Sequence, residues 1–600
     1  MLTIETWEIA AALFSALVFG CVSARADAQS DRPLLGSPWP ATDALGRNLP
    51  DAAEVGPVRP DRWVGIFYFL WHNNPGGESP HWKGPYDINK ILKVEPDALS
   101  KPESPYWGPI GMYHYWGEPL YGYYESDDPW VLRRHAQLLA DAGIDTLIFD
   151  TTNAVTYTPV FLKLCEVFSQ VRAEGGKTPS ICFMVNTRAG ETARRIYQDL
   201  YQKGLYRDLW FRWQGKPLMI CDPKEADAEL REFFTLRRAH WPFEMINTVN
   251  AWHWEAAYPQ PYGYTTDPGR AEMVNVSVAQ NLRISDGKVT NMSNGDARGR
   301  SFHDGKRDTS PGSVDRGLNF AEQWKRAHEL DPPFVMITGW NEWIAGRWGD
   351  PKGPLVFVDQ FDQEHSRDIE PGQCSHGDNY YWQMVGEIRR YKGVSPIPTS
   401  SGPAAIRVDG RFEDWGRVAP EYIAHQAGSE PRDHAGAGGT HYRNDTGRND
   451  IVLCKVARDR RNVYFYVRTR EPLTAWNSPN WMWLLIRVVR APGSAAPPAD
   501  WEGFQFIANR QPGSARETSL ERCLGGWRWE RAASIRYATG TREMELAIPR
   551  KALGLADGSD GIIIEFKWID NAADPGNPLD LYVSGDTAPA ARFRYRYESD

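Results

Sequence analysis

Phe334-Val335-Met336-Ile337-Thr338-Gly339-Trp340-Asn341-Glu342-Trp343 decides the fold. Its first five residues carry no charge and mix β-branched with apolar side chains. That predicts a strand buried on both faces, as in a parallel sheet covered by helices. Residues just past such a strand lie at the C-terminal rim of the sheet, where barrels place their chemistry. A carboxylate between two indoles at that point suggests sugar chemistry. Trp340 and Trp343 offer flat apolar faces to a pyranose ring, and Glu342 offers a group for proton transfer or attack. The plain alternative is a structural Glu in a tryptophan-rich rim.

Working outward, strands are predicted at 64–70, 146–150, 181–186, 217–221, 244–248, 273–277, 334–339 and 355–358, all within residues 58–393. Asp128-Pro129 starts a helix that Gly143 stops. Thr158-Pro159 starts another, with Phe161, Leu164, Cys165, Phe168 and Val171 on one face and Gly175-Gly176 at its end; a third spans 190–204. Eight short strands alternating with helices predict an α/β fold, a (β/α)₈ TIM barrel. A doubly wound open sheet competes, but nothing resembles its Gly-rich phosphate turn. Residues 394–404 are a Pro/Ser-rich linker. Beyond it, alternating runs at 462–468, 482–488, 544–548 and 562–567, without a long helix, predict an all-β sandwich over 405–600.

Six hundred residues exceed one hydrophobic core, in keeping with two domains. The net charge of −9 supplies no basic field, which argues against nucleic acid as a partner. The apolar stretch 9–22 is too short to span a membrane and, with Ala26-Asp27-Ala28 as a cleavage site, predicts a signal peptide over 1–28 followed by an N-terminal extension, 29–57. Secreted or periplasmic location follows. Acylation of Cys21 as a lipoprotein is the less favoured route, and Glu5 and Glu8 stand where a basic n-region is usual. Cys165, Cys182, Cys221 and Cys454 fall in apolar patterns, as buried free thiols do. No Cys/His spacing suggests a metal, and no cofactor is expected.

Cleaving a glycosidic bond takes two groups, one protonating the leaving oxygen and one attacking or activating an attacker. Glu342 is the first candidate. Asp150, closing the run Thr146-Leu147-Ile148-Phe149, and Glu255, in an aromatic loop, compete to be the second. An N-cap or rim hydrogen bond is the alternative for Asp150, and a loop salt bridge for Glu255. Trp71, His72, Asn186, Trp252, Trp254, Gln280, Trp340, Asn341 and Trp343 are the candidate sugar contacts at the strand ends. Asp359, Arg367, Asp368 and Glu370 are expected to brace the rim beside Glu342, and Asp378 to cap a helix.

Gly65 to Trp71, Gly143 to Asp150 and Gly339 to Trp343 resemble the barrels of glycoside hydrolase families 99 and 71. Family 99 endo-acting α-mannosidases carry Glu-Trp-x-Glu-Gly on a late strand; here it is Glu342-Trp343-Ile344-Ala345-Gly346. The resemblance implies that Glu342 corresponds to the carboxylate assisting the substrate's 2-hydroxyl. Ala345 stands where that family has its general acid/base, so Asp150 or Glu255 would have to replace it. Ile406 to Trp415 resembles the opening strand of family 9-like carbohydrate-binding modules. The function expected is an exported glycoside hydrolase acting on a polysaccharide or glycoconjugate. The alternative is a non-catalytic glycan-binding protein with a degenerate barrel.

Overall fold

The computed structural model describes residues 32–72, 77–241, 250–425, 428–490, 500–556, 558 and 561–599. The signal peptide and the strand expected at 244–248 therefore lie outside the described residues.

Strands of the N-terminal region are β1 (Trp63–Tyr68), β2 (Tyr113–Tyr115), β3 (Thr146–Asp150), β4 (Ser180–Met184), β5 (Lys216–Ile220), β6 (Thr235–Arg237), β7 (Trp252–His253), β8 (Met273–Ser277), β9 (Phe334–Thr338), β10 (Ile344–Trp348) and β11 (Val356–Phe357). A nine-stranded sheet runs β8-β9-β1-β3-β4-β5-β6. These seven are parallel; Tyr262–Gly263 and Arg212–Trp213 add antiparallel pairs against β8 and β5. β7 pairs in parallel with Ala239–His240, the continuation of β6.

One face of the sheet closes on a single apolar cluster: Phe67 and Phe69 of the first strand segment meet Ile148, Met184, Ile220, Trp252, Met273, Phe334 and Met336. Trp252 and Phe334, 4.8 Å between ring centroids, span β7 and β9. The sheet therefore curls around an interior as a partial barrel. Among the described residues no ladder joins β7 to β8. Gly65 makes room inside, since a Cβ there would lie 2.8 Å from the Phe334 ring and 2.9 Å from Ile148. Residues 355–358 correct the sequence reading. β11 joins β10 and β2 in a separate four-stranded sheet above the rim. A two-residue strand after a Gly/Pro turn resembles a buried barrel strand only in composition.

The outer face packs on helices α1 (Pro129–Ala142), α2 (Thr158–Ala173), α3 (Ala189–Ile196), α4 (Leu318–Leu330) and α5 (Asn379–Lys392). The Asp128 carboxylate accepts from the N–H groups of Trp130 and Val131, and Gly143 ends α1 in the left-handed conformation. α2 buries the five predicted apolar residues.

The linker has no regular structure, and eleven strands follow in one antiparallel sheet. It is barrel-like rather than two stacked sheets. Its interior forms one cluster, and Tyr422 near one end lies 5.1 Å from Tyr595 at the other. The expected opening strand at 406–415 is irregular and runs into a 3₁₀ turn at Glu413–Arg417; Trp415 donates to Glu545 at 2.9 Å, and Glu545 accepts from the N–H groups of Asp409 and Gly410. Trp481 and Trp483 are buried in its cores.

Asp378 does not cap α5 with its side chain. Its Oδ2 accepts from Trp382 Nε1 (2.8 Å), Tyr582 O–H (2.6 Å) and Arg592 Nε (2.6 Å). Arg432 likewise donates to buried Asp128 at 2.8 Å and to the Tyr121 carbonyl. Both contacts fasten the C-terminal region to the helical layer.

Candidate active site

Past β9 the chain keeps contact with β1 through Trp340 N–H to the Phe67 carbonyl (3.0 Å), and successive side chains then diverge. Trp340 points outward into the helix layer, edge-on to His135 at 5.5 Å. Asn341 is spent on the backbone, accepting from Phe69 N–H (2.9 Å) and donating to the Phe69 carbonyl (3.2 Å). Glu342 turns to the barrel mouth. Trp343 stacks on Trp116 at 4.7 Å and donates to Glu370 at 2.6 Å. Both bracketing indoles are fully buried, so neither Trp340 nor Trp343 presents a face to sugar. This corrects the sequence expectation, as does Asn341.

Glu342, 3% exposed, accepts from Arg367 at 2.9 Å and from the Gln360 amide. Arg367 also faces Glu255 at 3.7 Å, donates to Asn281 Oδ1 at 2.5 Å, and lies 4.5 Å above the Trp254 ring. Asn281 returns its backbone N–H to Glu255 at 2.8 Å. Glu342 and Glu255 are thus held about one guanidinium. Asp359 joins this group electrostatically, repelling Glu342, Glu255 and Asp150.

Asp150 stands at the end of β3, 9% exposed; its Oδ1 accepts from Thr152 N–H (3.0 Å) and Oγ1 (2.8 Å). Burial pushes its pKa up to about 6 against those two hydrogen bonds, and repulsion from Asp359 adds to the rise. Burial carries Glu255 to about 7, opposed by Arg367. Glu342 stands well above the ordinary carboxylate range for the same reason, and Asp359 is raised too. One cation faces three carboxylates, so the group retains protons near neutrality.

Of the other expected contacts, Trp71 is half-buried, edge-on to Tyr113 at 5.6 Å. His72 is buried beside Tyr124 and Tyr115, and burial lowers its pKa to about 3, leaving it neutral. Trp254 lines the site beneath Arg367, stacked on Trp241. Asn186 is partly exposed past β4. Trp252 and Gln280 are corrections. Trp252 packs in the barrel interior and donates to Glu272; Gln280 is tied to Ser277 and to Asn319 of α4. Asn281, one residue on, holds the place expected of Gln280.

Bracing by the 359–370 segment is as expected for Arg367 and Glu370. Glu370 accepts from Tyr124 O–H (2.7 Å) as well as Trp343, and meets His135, which contacts Tyr68 at 2.8 Å. Sequence reasoning placed Asp359 among the braces, not the reacting carboxylates, and passed over Asn281, Gln360, Tyr113 and Tyr157. The charge-dense run before a helix was the one signal pointing to that segment. Elsewhere, Glu125, Asp127 and His434 bring ligand atoms within 4.8 Å of one another, the one group of metal-ligating type among the described residues. No helix among the described residues is long and apolar enough to cross a membrane.

No family model and no curated protein matches this chain. Among solved structures, the GH99 endo-alpha-mannosidase from Bacteroides thetaiotaomicron is similar at 16% identity over 55% of this chain and 97% of its own, with a TM-score of 0.32. The same enzyme in complex with BIS-TRIS-propane gives 16% identity, the same coverage and a TM-score of 0.27.

Proposed function

We propose that the protein is an exported glycoside hydrolase that cleaves a polysaccharide or glycoconjugate at the mouth of a (β/α)₈-type barrel, with a carbohydrate-binding-module-like C-terminal region. The observation carrying this reading is the convergence of Asp150, Glu255 and Glu342, past the C-terminal ends of parallel strands, with Asp359 of the rim segment, all with raised pKa values. Glycosidic cleavage needs one carboxyl held protonated near neutrality and a second held ionised. Asp150, near pKa 6 and buried at the end of β3, suits the acid. Glu342, whose ion pair with Arg367 opposes the rise that burial causes, is the candidate for the second, and Glu255 holds Arg367 from the opposite side.

Reducing-end release over a glycan panel tests this. Asp150→Asn and Glu342→Gln should each lower release by about a hundredfold or more; release equal to that of the unaltered protein rejects the assignment. N-terminal sequencing of secreted material should begin near Gln29.

A second reading, glycan capture without turnover, has one observation in its favour. Ala345, at the position of the resembled family's acid, is buried in the β10–β2 ladder opposite His114. It predicts retention on immobilised glycan with no release of sugar.

A further inference from the structure

The rim sheet formed by β10 and β2 has one face that the carboxylate site does not use. In an antiparallel pair, residues directly opposite one another share a face, and alternate residues along a strand do too. Ile344 lies opposite Tyr115, and Gly346 opposite Tyr113. Trp348 is therefore on the same face, one step further out. The indole rests against Gly346, where an added Cβ would lie 2.8 Å from three of its ring atoms. Exposure rises along this row, from buried Tyr115 through half-buried Tyr113 to Trp348 at 45%.

The inner end of the row meets the catalytic group. Tyr113 is packed edge-on against Trp71 at 5.6 Å, and burial together with the charge of Asp359 raises its pKa. Tyr157 feels the charge of both Asp150 and Tyr113. Two buried donors at this end, Trp71 Nε1 and Tyr115 O–H, have no hydrogen-bond partner among the described residues. A buried donor without a partner costs about 1–3 kcal/mol unless something fills its valence. Apolar ring faces next to unspent N–H and O–H donors match a sugar, with its apolar C–H faces and equatorial hydroxyls.

We infer that Tyr113, Trp71 and Trp348 form a graded sugar-binding track leading outward from the carboxylates, with the Tyr115 O–H as a donor at its inner end. Its outermost indole is a distal subsite, so the ligand is a chain of several sugar units rather than a single residue. The inference rests on the proposed function for the nature of the ligand, though it concerns binding rather than cleavage. Gly346 is then required because any side chain there would lift Trp348 off the strand.

Affinity electrophoresis of the full chain against α-mannan, xylan, β-glucan and galactan, with the matching di- and tetrasaccharides as competitors, tests the track. The unaltered protein should be retarded by one polymer. Trp348→Ala should lose about tenfold in affinity for polymer and tetrasaccharide, close to one stacked ring. Its affinity for the disaccharide should stay within about twofold. Trp348→Phe should recover most of the loss, and Gly346→Val should behave like Trp348→Ala. Retardation by none of the four polymers, or equal retardation of Trp348→Ala and unaltered protein, overturns the track. Trp348-dependent binding without sugar release would keep the track and remove the hydrolase; sugar release indifferent to Trp348 would do the reverse.

Discussion

At the residue scale, the site is governed by what burial does to carboxylates. Asp150 rises from the ordinary 3.8 to about 6. If it is the acid, its protonated form is lost as pH climbs past that value, so hydrolysis should decline above about pH 6 in a pH–rate profile. The same shift bears on stability. The folded state binds the proton more tightly than the unfolded chain, so the favourable contribution is present below about pH 4 and is lost as pH rises toward 6. Asp150→Asn removes that penalty, and should stabilise the protein at pH 8 by up to about 3 kcal/mol. Urea unfolding at pH 4 and pH 8 checks it, the gain being confined to the higher pH. Arg367→Met should do the opposite, costing about 3–5 kcal/mol at neutral pH by leaving Glu342 and Glu255 without a cation.

What was legible at this scale was the position of the carboxylates, because strand ends can be read from apolar runs. The partners of the polar groups were not. Asn341 and Gln280 look like ligand-binding amides in sequence, yet each meets protein groups that only the folded chain brings near. Trp340 and Trp343 were misread because the chain leaves the strand regularity at Gly339, after which neighbouring side chains point to different compartments.

At the element scale, six of the predicted barrel strands appear within two residues of their expected ends, since burial on both faces leaves an unbroken apolar run. Gly65 shows how tightly those strands pack. Gly65→Val should drive a side chain into Phe334 and Ile148 and cost about 1–3 kcal/mol, read as a lower urea midpoint at unchanged slope. β10 escapes notice, and β11 reads as a barrel strand, because pairing of Ile344 with Tyr115 joins distant stretches of chain and leaves no local pattern.

At the scale of the whole molecule, the composition shift near residue 394 is real in secondary structure but does not divide the protein into independent bodies. Trp382 packs edge-on to Phe593 at 4.8 Å, Arg134 donates to the Gly428 carbonyl, and the Asp378 and Asp128 ion pairs are buried between the two regions. Calorimetry should therefore show one cooperative transition. Asp378→Ala, which removes the shared acceptor of Trp382, Tyr582 and Arg592 and leaves Arg592 only Glu502, should lower stability by about 3–5 kcal/mol and separate the melt into two steps. None of this was legible beforehand, because pairing across separations of 214 to 304 residues leaves no local pattern.

The placement of Asp378 also has a bearing on biosynthesis. Helix α5 finishes the first region at Lys392, yet the acid preceding it waits for Arg592 to be translated. Until then a nascent chain leaves that acid without its cation, alongside exposed apolar surface meant for Phe593. Ribosome-bound intermediates halted between those two points should lean on chaperones, and release from them should coincide with emergence of the final strand.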